Sequence, residues 1–546
     1  MADLTPISTW TADDAAHLAR RAGFGISPEG AVALASQIPA TAVAAWVDGS
    51  GIDRTLFDSV MADRADVVAL AARDANPNAV GAVGVPAVPA PHAFLVEGAD
   101  TWRNDFTRAQ ASLAFRMQYE PHAFRERMAL FWHNLFATGF HKVNAAALML
   151  KQYRLFREHG LDRFDDLLVA VSKDPAMALW LDSVQNNANG TNVPNENYAR
   201  EVMELYSLGA DNGYDQQDIT QLARALSGWS FTVPASAIVA DPTNPGQKRA
   251  SDANFRVYDG SANPDGYAWY LGTNTTLPRM HATGTVTFLG RTFDIGTAPA
   301  GMAPGEDAIR SIPTSRGPQC ARFLAERLLV HFVTSRFDAT DLADVAAMIQ
   351  ASSFDLRAVL KTLLSSRYFF DPANRFALVE GPVSWTVRAA RALGRGLAAA
   401  DALPVKGFPA WSQVASSFDQ AGMRLLDPSG PNGWKEDVAW LNSNTIRFRT
   451  RLAAAVALGA GATTGSSDQL LFPSDPAEWF PVPPASPADV LARLVALLQP
   501  GPLPASVTGA WLGALWPSTF AWDATGKLRA RELAYLLLCS PAGQLY

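Results

Sequence analysis

A mainly α-helical fold, a large multi-helix single domain with a small irregular β-containing insertion, is what the sequence predicts, and three observations predict it. Apolar residues recur at the three- and four-residue spacing of a helix face through most of the chain. Capping residues and Gly or Pro stand where those periodic stretches begin and end. Only residues 231–304 break the pattern, with alternating runs set among Pro, Gly, Asn, Thr and aromatics. No repeat at a solenoid period and no linker-like composition shift divides the chain. Residues 1–546 therefore read as one helical domain with 231–304 inserted in it.

Composition fits that reading and excludes several functions. Of 546 residues, 48% are hydrophobic and 18% charged, enough apolar content for a large core. The net charge of −7 argues against nucleic acid, because phosphate binding needs clustered Lys and Arg. Two cysteines, Cys320 and Cys539, make no disulfide framework and sit in apolar helical stretches, as buried thiols do. The N-terminal stretch is polar and acidic, and no apolar run follows Arg20 and Arg21, so it reads as neither a secretory nor a twin-arginine signal. No window approaches the ~20 apolar residues of a membrane span. The expected state is soluble and cytoplasmic.

In chain order, Thr11 is a helix N-cap, Asp13 and Asp14 complement the first turn, and Gly23 ends the segment. Stretches 28–48, 54–75 and 101–118 carry helical spacing, with AVGAVGVPAVPAPHA (79–93) as a loop or lid between them. RERMALFWHNLFATGF predicts a helix closed near Gly139, KQYRLFREHG one ending at Gly160, and FDDLLVAVSKDPAMALWLDS another. In PNENYAREVMELYSLG, Asn195 caps and Gly209 stops a helix, and YDQQDITQLARALSGW forms its antiparallel partner. TGTVTFLGRTFDI predicts a hairpin inside the insertion. Helices resume near Gly305 and continue to the end, with breaks at 401–410 and 463–487.

No GxSxG, HExxH, P-loop or CxxC motif is present, and LGAGATTG (458–465) follows an Ala-rich helix where a phosphate loop would follow a strand. The densest polar cluster is the helical pair at 195–228. Glu196, Arg200 and Glu204 share one face at i, i+4, i+8, with Glu201 beside them and Asn195 before them. Asp218, Gln221 and Arg224 can meet them from the second helix. Such an array either binds a cation or moves protons, or it is a structural Glu–Arg ladder. His133, in FWHNLF with Asn134, either ligates a divalent metal or transfers a proton, or it is a hydrogen-bonded core residue. His281 lies in the insertion and can join His133 and Glu201 as catalytic or metal-binding partners if the insertion folds over the helices. The other histidines, His331 among them, read as local helix, cap or surface residues. Trp229 and Trp434 sit at turns, where an indole either stacks on a sugar or packs as a staple.

The blocks HLARRAGFG, RERMALFWHNLF, DPAMALWLD, PNENYAREVMELYSLG, YDQQDITQLARALSGWSF, GMRLLDPSGPNGWKEDVAWLNS and LCSPAGQLY, in that order, resemble the bacterial family known as domain of unknown function 1800. The resemblance spans almost the whole chain and implies an α-helical fold but no established reaction. It also implies that relatives are often exported and encoded beside a sulfatase-like family of unknown function. In the family pattern a second histidine stands where this chain has Leu135. A His-Asp pair followed by a lysine stands where this chain has His281, Ala282 and Thr285. Two functions follow as expectations. One is a hydrolase or lyase acting on a polymer such as glycan, with Glu201, Glu204 and His133 as catalytic groups and a divalent metal as the admissible cofactor. The other is a non-catalytic companion of a sulfatase-like protein.

Overall fold

Helix α1 (Ala12–Arg21) shows how tightly this sequence ties distant segments together. Thr11 and Asp14 form a reciprocal capping box, which satisfies two otherwise orphaned N–H groups at the helix start. The helix stops at Arg21, two residues before Gly23. Its polar side chains are turned inward. His17 Nε2 meets the Phe369 carbonyl at 3.2 Å, Arg21 donates to the Asn374 carbonyl at 2.7 Å, and Arg20 donates to Gln499 at 3.2 Å.

The structure is a computed structural model. It describes residues 1–62, 102–144, 146–188, 193–232, 238–240, 248–250, 254–257, 281–296, 303–394, 416–459 and 475–546. The expected loop at 79–93 and the break at 401–410 lie outside the described residues. Stretch 28–48 is two helices, α2 (Pro28–Ala35) and α3 (Pro39–Asp48), because Pro39 forces Ile38 into an extended conformation. Next come α4 (Trp102–Tyr119), α5 (Ala123–Leu135) and α6 (Ala146–His159). Trp132 of α5 is fully buried and donates to the Gly160 carbonyl at 2.8 Å, which fixes α5 against the end of α6. Helix α5 ends four residues before Gly139, since Phe136 already caps it.

The run at 164–183 divides into α7 (Phe164–Ser172) and α8 (Pro175–Trp180), with Pro175 at the first position of α8 and Asp174 as its N-cap. The 195–228 pair appears as α9 (Asn197–Glu204) and α10 (Gln216–Ala225), which pack together. Helix α9 ends five residues before Gly209. Its N-cap position is Glu196, and the expected cap, Asn195, instead accepts from the Asn197 N–H at 3.0 Å through its side chain.

Six strands follow among the described residues: β1 (Trp229–Thr232), β2 (Ile238–Ala240), β3 (Lys248–Ala250), β4 (Asn254–Val257), β5 (Gly284–Phe288) and β6 (Arg291–Gly296). They pair antiparallel as β1–β4, β2–β3 and β5–β6, three separate two-stranded ribbons. The β5–β6 hairpin is the one predicted at TGTVTFLGRTFDI. Its two turn residues, Leu289 and Gly290, both have positive φ (50° and 80°), the requirement of a type I′ connection. Leucine is a costly choice there, and its N–H is held by the Asp218 carboxylate at 2.7 Å. Asp218→Ala removes that bond and the α10 capping box together, with an expected loss of about 2 kcal/mol by urea denaturation.

Helices resume at α11 (Ala303–Ser315), then α12 (Gly317–Leu328), a π turn at Leu329–Val333, α13 (Ala339–Ala351) and α14 (Leu356–Ser365). The last section holds α15 (Pro382–Leu393), α16 (Ser443–Leu458), α17 (Pro487–Leu498), α18 (Ala505–Leu515) and α19 (Ala524–Cys539). The buried apolar side chains form one contiguous cluster running from Ala2 to Leu538, with a small satellite under α1 and α2. Cys320 is buried and Cys539 partly so, and both are free thiols. Among the described residues no helix is long and apolar enough to cross a membrane.

Candidate functional site

Loops carry sites where a rigid frame presents them, and one such loop lies in the block SGPNGWKEDVAWLN (429–442). It closes one wall of a cleft of about 1010 Å³. The C-terminal end of α5 and the π turn after α12 form the facing walls. The loop is seated on Asn134, whose Oδ1 accepts the Trp434 N–H at 2.6 Å. Gly433 makes that approach attainable. Its φ is +71°, and a Cβ there would overlap both the backbone carbonyl and the side-chain oxygen of Asn134.

Single π turns inside helices recur at functional sites, because the widened turn redirects one side chain. Here the redirected residue is His331, 7% exposed. Its Nδ1 lies 2.9 Å from Glu436 Oε1, and Asn134 Nδ2 donates to the same oxygen at 3.3 Å. Behind His331, Tyr546 Oη donates to its carbonyl at 3.1 Å, and Arg127 donates to Tyr546 Oη at 2.9 Å and to Ser384 Oγ. A second cavity of about 30 Å³, room for one water, lies among Arg127, Ser384, Tyr546, His331 and Glu436.

The electrostatics of the pair follow from this setting. Burial lowers the His331 pKa and the Arg127 guanidinium lowers it further, against the opposing hydrogen bond to Glu436. For Glu436 burial acts upward, but the His331 hydrogen bond and the nearby guanidinium groups of Arg127 and Arg327 act against it, and its pKa is lowered. The side chain keeps 27% exposure, so solvent reaches the carboxylate and the ionised form is the one we assign. A neutral imidazole donating from Nδ1 to a carboxylate is the consistent state. The neighbouring Asp437 is fully engaged: Oδ1 accepts the Val379 N–H at 2.8 Å and Oδ2 accepts from Ser335 at 2.6 Å.

Of the residues singled out from the sequence, Asn134 and Trp434 line the cleft, and the candidate catalytic and binding residues lie outside its lining. His133 is 1% exposed and turns away from the cleft into an aromatic pocket, edge-on to Trp434 at 5.2 Å and near Tyr153 and Phe156. Burial alone lowers its pKa to about 3, and its ring nitrogens make no hydrogen bond among the described residues. Glu196 joins α9 to α10 by accepting from Thr220 and Gln216, each at 2.6 Å, while Arg200 reaches Gln216 at 3.0 Å. The expected meeting of Asp218, Gln221 and Arg224 with α9 does not occur. Asp218 serves the hairpin turn, and Arg224 reaches Gln221 and the Thr283 carbonyl, each at 3.4 Å, because that face of α10 covers β5.

His281 Nδ1 meets the Ser227 carbonyl at 2.5 Å, against Gly228, and Trp229 is 2% exposed beside Gly305. His133, His281 and Glu201 share no hydrogen bond, ion pair or ring contact among the described residues. No group of three or more His, Cys, Asp or Glu is placed to hold a metal among those residues either. Glu201 is half-buried, one turn before Leu205, which lines the cleft. Burial and then the charge of Glu204 raise its pKa. Of the three positions noted with the resemblance, Leu135 lines the cleft, Ala282 is buried beside Ser227, and Thr285 is exposed.

Sequence reading missed His331, Glu436 and Asp437. The signal available was an acidic pair directly after Asn432-Gly433-Trp434, in a Gly- and Pro-rich block with no helical period. The profile of a family described as "Protein of unknown function (DUF1800)" matches residues 17–545. No curated protein and no solved structure matches the chain.

Proposed function

We propose that this chain, which belongs to the DUF1800 family, is a cleft enzyme, a hydrolase or lyase acting on a polymer such as glycan, with Glu436 as its acid–base group. The observation that carries this reading is the His331–Glu436 hydrogen bond of 2.9 Å at a cleft of about 1010 Å³. An ionised carboxylate, oriented by two donors and still reached by solvent, is equipped to take a proton from water or from a substrate carbon. The second carboxyl of this reading is Glu201, half-buried on α9 one turn before the cleft-lining Leu205. His331 acts through Glu436 as a positioning residue.

Screening neutral and acidic polysaccharides for released reducing ends identifies a substrate. Glu436→Gln is then expected to lower turnover at least about 100-fold. Its melting temperature should stay close to that of the unaltered protein. Unchanged turnover would remove the reading.

A companion role beside a sulfatase-like protein is supported by one feature. Helix α18 carries no charged residue and none of its residues is fully buried, with Trp511, Leu512 and Leu515 packed partly against the core, and a Cβ on Gly509 or Gly513 would meet nothing within 4 Å. If that face docks a partner, Ala510→Glu abolishes co-purification with the sulfatase-like protein and leaves the fold intact. Co-purification that survives the substitution excludes this surface.

A further inference from the structure

Behind the His331–Glu436 pair, the cavity of about 30 Å³ brings together a buried acceptor and a buried donor that do not bond each other. The acceptor is on His331, which lines this cavity and not the large cleft. Its Nδ1 faces the Glu436 carboxylate at 2.9 Å, so the proton of the neutral ring sits on Nδ1 and Nε2 carries only a lone pair. Nε2 is buried, and no hydrogen bond reaches it among the described residues.

The donor is on Arg127 of α5, which is 2% exposed. Its terminal nitrogens donate to Ser384 Oγ and Tyr546 Oη, and Tyr546 gives its own hydrogen to the His331 carbonyl at 3.1 Å. The Arg127 Nε–H is buried and meets no acceptor among the described residues. Leaving a buried donor or acceptor unsatisfied costs more than an average hydrogen bond contributes. A polar cavity large enough for one water, with two to four groups to bond it, is the setting in which proteins keep buried water. Arg127, Ser384 and His331 all line this cavity.

We infer that this cavity binds one ordered water, which accepts from Arg127 Nε–H, donates to His331 Nε2 and bonds Ser384, and that Arg127 thereby acts as a positioning residue for Glu436. By requiring a lone pair at Nε2, the water fixes the imidazole in the tautomer whose Nδ1–H points at the carboxylate. A proton on Nε2 would instead turn a lone pair toward Glu436 and remove one of its two donors. Tyr546 holds the backbone of the same histidine, so the ring and the main chain of His331 both lead back to one guanidinium. The catalytic meaning of this arrangement rests on the cleft reading above, whereas the water and the tautomer are tested without turnover.

Two measurements on the full chain decide it. A high-resolution crystal structure is expected to show one water between Arg127 and His331. Nitrogen NMR of the histidine side chains, with the His331 signals assigned by their loss in His331→Gln, is expected to show Nδ1 protonated and Nε2 bare at neutral pH. Gly381→Ala then perturbs the water. Gly381 lines the cavity, and a Cβ there meets Trp440 and Met423, which line it too, at the ordinary contact distances of 3.6 and 3.8 Å. Its φ of −61° suits alanine, so the methyl group takes the water's place without backbone strain. The expected result is loss of the water, a His331 proton shared between the two nitrogens, and about tenfold lower turnover on the substrate found by the screen, the worth of one hydrogen bond. If that variant does not fold, the two measurements on the unaltered chain still decide. No water in the unaltered chain, a proton on its Nε2, or His331 signals that ignore Gly381→Ala overturns the inference. A tautomer that shifts while turnover holds overturns the positioning role. Turnover that survives in Glu436→Gln, with water and tautomer as expected in the unaltered chain, overturns only the acid–base reading.

Discussion

Gly433→Ala is expected to cost about 4 kcal/mol of stability, the sum of three effects that act at one atom. A non-glycine residue in the left-handed region costs about 1–2 kcal/mol. Forcing a methyl group into filled space costs about 1–3 kcal/mol more. The new Cβ would overlap both oxygens of Asn134, so the loop must lift and forfeit the Trp434 N–H bond of 2.6 Å. Trp434, now 7% exposed, would meet water, and tryptophan emission should shift to the red during urea unfolding curves. Gly430→Ala is the control, because a Cβ there meets nothing within 4 Å and the expected change stays within about 0.5 kcal/mol. Similar losses in both variants would show that the loop is not seated on Asn134.

Stability is also expected to fall as pH rises from about 4 to about 7, through Asp174. Its carboxyl is 3% exposed, and burial raises its pKa from 3.8 to about 7 despite hydrogen bonds from the Met177 N–H and Gln152. Below 3.8 the folded and unfolded chains both hold this proton and the group is neutral in the balance. Between 3.8 and about 7 only the folded chain holds it, so each rise in pH favours unfolding, by up to about 1.4 kcal/mol per unit. Above about 7 the folded chain carries a buried charge at a total cost of about 4 kcal/mol. Asp174→Asn keeps an N-cap acceptor for α8 and removes the ionisation. The variant should match the parent near pH 4 and exceed it at pH 8, as thermal melts across that range would show. A parent whose stability rises over that window, with no change in the variant, would contradict this placement of Asp174.

How much of this was legible in the sequence differs between fold and site, for physical reasons. Helices are local, and their signals are local. Thr11 marks a true start, with Asp14 in the first turn completing its capping box. Stops are less legible, because the sequence points to glycine as the end of α5 and α9, whereas Phe136 and Leu205 already close them. The β5–β6 hairpin was visible because alternation survives in a short two-stranded ribbon. The site was not visible, because it joins positions 134, 331 and 436 across hundreds of residues. A helical face can be inferred from spacing, but its neighbour cannot, which is why Gln216, Thr220 and β5 are absent from the contacts expected for the polar cluster at 195–228.

The inward-facing helix α1 has a kinetic consequence. Arg20 meets Gln499 across 479 positions, and Arg21 meets Asn374 across 353. During synthesis at roughly 5–20 residues per second, α1 leaves the ribosome tens of seconds before those partners exist. Until then two arginines and a histidine destined for the interior are held in water, and the apolar face opposite them has nothing to cover. Completion of the core must therefore follow translation, which places this chain among proteins that fold slowly through non-local closure. Pulse-labelled refolding should find the α1 amides among the last to gain protection.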